Sequence, residues 1–193
     1  MLVPGAGLSR LAYEIARLGH HVEAADVSVG GGRGLASSTL ACRHARRSST
    51  PLSQPTCGWT RSPAGTLPLM MACDATATYD AVVTSYFLDT LDDAAAAVRT
   101  VARTLAPGGV WVNVGPLQWH RPTGLRLTFD ELRSLIALSG LDVGRSTRVL
   151  RRVPYLASPR ALASANEHDC VFFVARAPAI VRNRTWWGRV TSR

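Results

Sequence analysis

The sequence predicts an α/β fold built on a doubly wound, mostly parallel sheet, and three observations carry that prediction. The chain opens with a short apolar strand, a glycine turn, an amphipathic helix and a second strand that ends on an acid. Strands and helices alternate again after residue 79, as crossover units of a parallel sheet require. Proline–glycine stops separate the helices from the apolar strands that follow them, as in Pro107-Gly108-Gly109 before VWVNV. A chain of 193 residues fits one domain of ordinary size, and 47% hydrophobic against 18% charged residues argues against a wholly disordered polymer.

Met1 to Val3 reads as the end of the first strand, running directly into Pro4-Gly5-Ala6-Gly7. A strand this short at the extreme N-terminus leads us to expect further sequence upstream. Leu8, Leu11, Ala12, Ile15 and Leu18 then recur at helical spacing, and Gly19 is a natural stop. His21 to Ala25 forms the second strand, with the carboxylate of Asp26 at its end.

Residues 29–66 are rich in Ser, Gly, Pro and Arg and show no sustained period, so they are expected to be an irregular, disordered insert. Leu67 to Ala72 gives a short apolar strand ending at Cys73-Asp74, and Asp80 to Ser85 a buried one. An alanine-rich helix spans Asp92 to Leu105, followed by the strand Val110 to Val114. Thr128-Phe129-Asp130-Glu131 has the form of a capping box, opening a helix that ends at Gly140. Leu141 to Leu150 and Cys170 to Ala175 supply the last two strands. The expected organisation is one domain over residues 1–178 and a loose basic tail over 179–193.

All 22 basic residues are arginine, and the net charge is +9. Five arginines between Asp26 and Asp74, and five after Asp169, face no acid, whereas the remaining sequence holds 12 arginines against 13 acids. The excess basicity therefore belongs to the middle segment and the tail. It would attract polyanions non-specifically, but no RNA- or DNA-binding motif accompanies it, so dedicated nucleic-acid binding is not expected. No apolar run approaches the roughly 18–20 residues of a membrane helix. Cys42, Cys57, Cys73 and Cys170 form no C-x-x-C pair and share no metal-ligand spacing with the histidines. That pattern, with no signal peptide legible at the N-terminus, suggests reduced thiols, a cytoplasmic or nuclear setting and no structural metal.

The order of elements matches a Rossmann-like class I methyltransferase sheet of seven strands, mostly parallel, with the last strand inserted antiparallel. The glycine turn separates two cofactor readings. A nicotinamide site wants a third glycine in G-x-G-x-x-G, whereas Gly5-Ala6-Gly7 is followed by Leu8, Ser9 and Arg10. S-adenosylmethionine has no pyrophosphate; it needs backbone approach at Gly5 and Gly7, an acid for its ribose, and a polar group near its adenine. Asp26 and Asp74 stand at the two strand ends where those groups belong.

The segments LVPGAGLSRLAYEIARLGHHVEAADVS, YDAVVTSYFLDTLDDA, LAPGGVWVNVGPLQWH and HDCVFFVARAP resemble the carnosine N-methyltransferase family. The likeness covers roughly three-quarters of the chain and includes the family's F-x-D-T and G-P-L-x-x-H elements in order. It implies methyl transfer from S-adenosylmethionine to the imidazole of carnosine or a related histidine-containing small molecule. By the same resemblance Gly5, Gly7, Asp26, Asp74 and Ser85 contact the cofactor. Asp89 and His120 take the imidazole-binding positions, and Tyr155 is a candidate dipeptide contact. The chemistry suits such a pair: a carboxylate on the distal ring N–H fixes the tautomer and steadies the developing imidazolium, while a histidine orients the ring or removes its proton.

Bland readings stand beside these. Asp89 would serve equally as the cap of the helix after it, His120 as a loop residue, and Trp111 and Trp119 as core. The family's helical region before the glycine strand is missing from this chain, and the segment after Asp26 lacks the family's periodicity; both imply an N-terminally truncated domain with impaired activity. Three functions follow: an active methyltransferase, a non-catalytic remnant or interaction module, and a nicotinamide oxidoreductase weakened by the missing glycine. Oligomeric state is not legible.

Overall fold

The computed structural model describes residues 1–6, 10–26, 37–43, 56–62, 77–120, 125–155 and 167–179, with 37–43 and 56–62 described by backbone alone. Gly7, Asp74, the expected strand at 67–72 and the tail from residue 180 lie outside the described residues. The elements run β1 (Leu2–Pro4), α1 (Arg10–Arg17), β2 (Val22–Asp26), β3 (Ser37–Arg43), β4 (Thr56–Ser62) and β5 (Tyr79–Ser85). A 3-10 turn (Leu88–Thr90), α2 (Ala94–Thr104), β6 (Leu105–Gly115), α3 (Phe129–Leu138), β7 (Asp142–Val143), β8 (Arg148–Pro154) and β9 (Glu167–Arg176) complete them.

The nine strands among the described residues join one sheet in the order β4-β3-β2-β1-β5-β6-β9-β7, with β8 also paired to β9. The β1–β2, β1–β5 and β5–β6 pairs are parallel. Because β9 is antiparallel both to β6 and to β7 and β8, the last two run with β6. Every strand therefore points one way except β3 and β9, which is the mostly parallel sheet with an inserted antiparallel last strand. No helix among the described residues is long and apolar enough to cross a membrane.

With the expected strand at 67–72 outside the described residues, the described strands number nine where six of the expected seven could be seen, and two local causes supply the other three. The single strand expected over 141–150 is interrupted after Val143 by a turn in which Thr147 Oγ1 donates to the Gly144 carbonyl at 2.9 Å; its halves, β7 and β8, both lie along β9. The second cause corrects the expectation of an irregular insert. Inside residues 29–66, β3 and β4 form an antiparallel hairpin, and β3 lies along β2 from Val22↔Cys42 to Asp26↔Ser38. Composition misjudges this segment because an open edge of β2 offers a row of unpaired backbone groups, and pairing with it satisfies the ladder whatever the side chains. The start of β6 also differs: its ladder begins at Leu105, opposite Tyr79, and resumes at Ala81↔Val110, so the Pro107-Gly108-Gly109 stop is absorbed as an irregularity within the strand.

Helix ends follow their caps. Asp93 accepts the Ala96 N–H at 2.8 Å and starts α2. The capping box at α3 is complete, with the Glu131 N–H on Thr128 Oγ1 at 3.3 Å and the Thr128 N–H on Glu131 Oε2 at 2.8 Å. Those bonds from Thr128 hold the Glu131 carboxyl below its ordinary value.

Successive strand residues face opposite sides of the sheet, and the two cores show it. Val3, Val22 and Ala24 pack with Ala12 and Ala16 of α1, joined by Val83. Leu2 and Val82, one residue back in each strand, belong to the larger core formed with α2, α3 and β9. In that larger core Trp111 is fully buried, edge-on to Phe173 with ring centroids 5.0 Å apart. Its indole N–H donates to Thr84 Oγ1 at 2.8 Å, Thr84 donates to Asn113 Oδ1 at 2.8 Å, and Asn113 Nδ2 donates to the Val171 carbonyl at 3.2 Å. This chain satisfies buried polar groups across β5, β6 and β9. Trp111→Phe is expected to cost about 2–4 kcal/mol, since it removes a buried donor and leaves a cavity; urea unfolding followed by circular dichroism checks the value.

Candidate functional site

The strand order reverses between β1 and β5: the chain leaves β1 toward β2 on one side and later returns to β5 on the other. In open α/β sheets the crevice beyond the carboxyl ends of the strands at such a reversal is where ligands bind. Three expected cofactor residues converge there. Gly5 follows β1, Asp26 ends β2 and Ser85 ends β5. Gly5 has φ +64°, a conformation glycine adopts without strain, and a Cβ added to it would lie 2.1 Å from Phe87 Cδ2. Asp26 is buried, and Ser85 is half-buried. A turn that brings bare backbone to the crevice, beside a buried strand-end carboxylate, fits the ribose-bearing part of S-adenosylmethionine.

Phe87 links this turn to the second half of the site. It is buried against Gly5 and leads directly into the 3-10 turn that carries Asp89. Asp89 is only 1% exposed. Its Oδ2 accepts the backbone N–H of Gln118 at 3.1 Å and lies 3.7 Å from His120 Nε2, and its backbone carbonyl accepts the His120 N–H at 3.1 Å. The His120 side chain, by contrast, is 59% exposed. The capping alternative for Asp89 is not what the chain does, because Asp93 caps α2. Trp111 and Trp119 are core residues, as the bland reading had it, at 0% and 6% exposure.

The antiparallel insertion of β9 brings more of the chain to the same sheet edge. The start of β9 and the end of β8 both lie beyond the carboxyl end of β6, as Gly115↔Val171 and Pro154↔Glu167 show. Tyr155, exposed after β8, contacts Tyr86 edge-on at 5.3 Å and His168 at 6.1 Å, and Tyr86 meets His168 at 6.1 Å. Cys170 Sγ lies 3.3 Å from the Tyr86 hydroxyl. Burial first, then the bond with Cys170, pushes the Tyr86 phenol above its ordinary value, so it stays neutral at physiological pH. Gln118 Nε2 lies within hydrogen-bonding distance of His168 Nδ1, at 3.0 Å.

Tyr86, Phe87, Gln118 and His168 were not singled out from sequence. Phe87 opens the quoted F-x-D-T element and Tyr86 precedes it, and a reading of that element with its neighbour would have found them. His168 stands 48 positions from His120 in the sequence, and no spacing rule connects residues that meet only through the order of strands.

Comparison with known proteins agrees with this geometry. A family model described as carnosine N-methyltransferase matches residues 62–179, and a methyltransferase domain model matches residues 2–112. The chain is 27% identical to carnosine N-methyltransferase unmet of Drosophila melanogaster, over 92% of this chain and 45% of that protein. It is also 27% identical to carnosine N-methyltransferase of Rattus norvegicus, over 92% of this chain and 51% of that protein. The chain thus spans about half the length of the curated relatives it matches. Among solved structures, a SAM-dependent methyltransferase of Methanosarcina mazei superposes with a TM-score of 0.58 at 16% identity, covering 93% of this chain and 92% of the other. A strand order with its reversal at the glycine turn, an antiparallel last strand and a family match over more than half of the sequence place this chain in the carnosine N-methyltransferase family, on the class I S-adenosylmethionine-dependent methyltransferase fold.

Proposed function

We propose that this chain methylates a ring nitrogen of an imidazole, that of carnosine or of a related histidine-containing molecule. The observation that carries the reading is the buried Asp89 carboxylate 3.7 Å from the exposed His120 ring, one short turn from the Phe87–Gly5 contact at the cofactor crevice. S-adenosylmethionine is the cofactor of this fold and family, and when bound it supplies a methyl group on a positively charged sulfur.

The residues then divide the work. The Gly5 turn, with Gly7 beyond it, admits the cofactor's backbone-facing side; Asp26 takes the ribose hydroxyls, Ser85 lies at the strand end beside them, and Asp74 serves the adenine side. His120 and Asp89 form the acceptor-facing pair. An imidazole gains positive charge as its nitrogen is alkylated, and the Asp89 carboxylate stabilises that charge at short range. The proton on the acceptor's other nitrogen passes to His120 Nε2, whose exposure gives it a route to solvent. Tyr155, exposed against Tyr86 and His168 at the same sheet edge, is the candidate contact for the remainder of a dipeptide.

Thermal unfolding with S-adenosylhomocysteine tests the cofactor half of the reading. A ligand that binds only the native state raises the midpoint by mass action, and at 100 times Kd the stabilisation is about 2.7 kcal/mol. S-adenosylhomocysteine is expected to raise the midpoint while NAD does not. A transition that neither moves would favour the non-catalytic remnant. The acceptor half is tested by transfer of labelled methyl to carnosine, with free imidazole and a histidine-free dipeptide as controls.

A further inference from the structure

Trp119 has a left-handed backbone, with φ +50°, a conformation that a bulky non-glycine residue rarely holds without external support. Three bonds supply that support, one from each of three consecutive residues. Gln118 gives its backbone N–H to Asp89 Oδ2 at 3.1 Å, and His120 gives its own to the Asp89 carbonyl at 3.1 Å. Between them the Trp119 indole is buried at 6% exposure in the larger core, and its Nε1–H donates to the Leu127 carbonyl at 2.8 Å. An extended backbone would send neighbours to the face opposite Trp119 with no turn toward Asp89. The left-handed turn instead lets one indole plug the core while Gln118 and His120 on either side both bond to the same aspartate.

We infer that Trp119 is a positioning residue: its core-anchored indole holds the strained turn that sets His120 beside Asp89. The inference concerns the Asp89–His120 geometry itself; its consequence for methyl transfer rests on the function proposed above.

The test compares backgrounds. In the full chain, Asp89→Asn is expected to move the His120 ring resonances in 15N-resolved NMR spectra, because a charge 3.7 Å from Nε2 is removed. In a Trp119→Gly background, where glycine accepts φ +50° without an anchor, the same Asp89→Asn change is expected to leave those resonances in place. Trp119→Phe keeps an aromatic plug but loses the bond to Leu127, so the response there is expected to shrink, and methyl transfer to fall about three- to tenfold, in line with one lost hydrogen bond. S-adenosylhomocysteine affinity is expected to stay within about twofold in all variants. A response to Asp89→Asn in Trp119→Phe as large as in the wild-type chain would overturn the inference, and so would an undiminished response in a cooperatively folded Trp119→Gly. Should Trp119→Gly fail to fold, Trp119→Phe alone decides. If no variant, including Asp89→Asn, affects methyl transfer while the resonances respond as stated, the proposed function fails and the positioning role stands.

Discussion

Asp89→Asn is expected to lower methyl-transfer turnover about 100- to 1000-fold while leaving S-adenosylhomocysteine affinity within about twofold. The substitution is chosen because it removes charge and little else. An asparagine carbonyl still accepts the Gln118 N–H that Asp89 Oδ2 now accepts at 3.1 Å, and the bond from His120 N–H to the residue-89 backbone carbonyl is untouched. The loop carrying Gln118, Trp119 and His120 therefore keeps its clamp. What disappears is the negative charge beside His120 Nε2, in a position almost closed to solvent, where its effect on a developing imidazolium is least screened. Steady-state kinetics with varied acceptor and cofactor, paired with a binding isotherm for S-adenosylhomocysteine, separates the two quantities. Equal losses in turnover and cofactor affinity would mean that Asp89 supports the fold of the crevice rather than the acceptor. His120→Ala should lower turnover in the same sense without changing the backbone clamp, since alanine keeps the N–H.

The second large effect is expected at Gly5. Gly5→Ala forces an L side chain into φ +64°, which costs about 1–2 kcal/mol, and sets its Cβ 2.1 Å from Phe87 Cδ2, an overlap that adds about 1–3 kcal/mol. A fall in stability of about 2–5 kcal/mol by urea unfolding is the expected outcome, together with loss of the S-adenosylhomocysteine-dependent rise in midpoint. Phe87 is the nearest atom source of the clash and also the lead-in to the Asp89 turn, so the displaced ring perturbs both halves of the site. Phe87→Ala in the Gly5→Ala background should recover the overlap part of the cost but not the backbone part, and the two changes should be markedly non-additive. Additive losses would place the clash elsewhere.

The glycine turn, the strand ends at Asp26 and Ser85 and the α3 capping box were legible in the sequence because each is a local signal, whereas the Phe87–Thr90 element was legible only through the family resemblance. A left-handed turn favours glycine, a capping box needs its Thr–Glu spacing, and an apolar strand between breakers reads as buried. The β3–β4 hairpin was not legible: its sequence holds no period, and its pairing is imposed by the open edge of β2. Nor was the interruption between β7 and β8, since the run 141–150 carries no strong breaker beyond Gly144.

Local chemistry, read in order along the chain, thus decided the fold class, and the resemblance of whole segments pointed to the family. The arrangement of the site residues was decided in three dimensions. Asp89 is almost closed to solvent, because the loop after β6 folds over it, with the Gln118 N–H on its carboxylate and the His120 N–H on its backbone carbonyl. His168 and Tyr155 come to the edge that holds Gln118 and Tyr86, because β9 enters the sheet antiparallel between β6 and β7. The physical reason is the same in both cases: backbone pairing and core burial are satisfied by the whole sheet at once, so the distance between two side chains depends on strand order and direction, which no interval of sequence encodes.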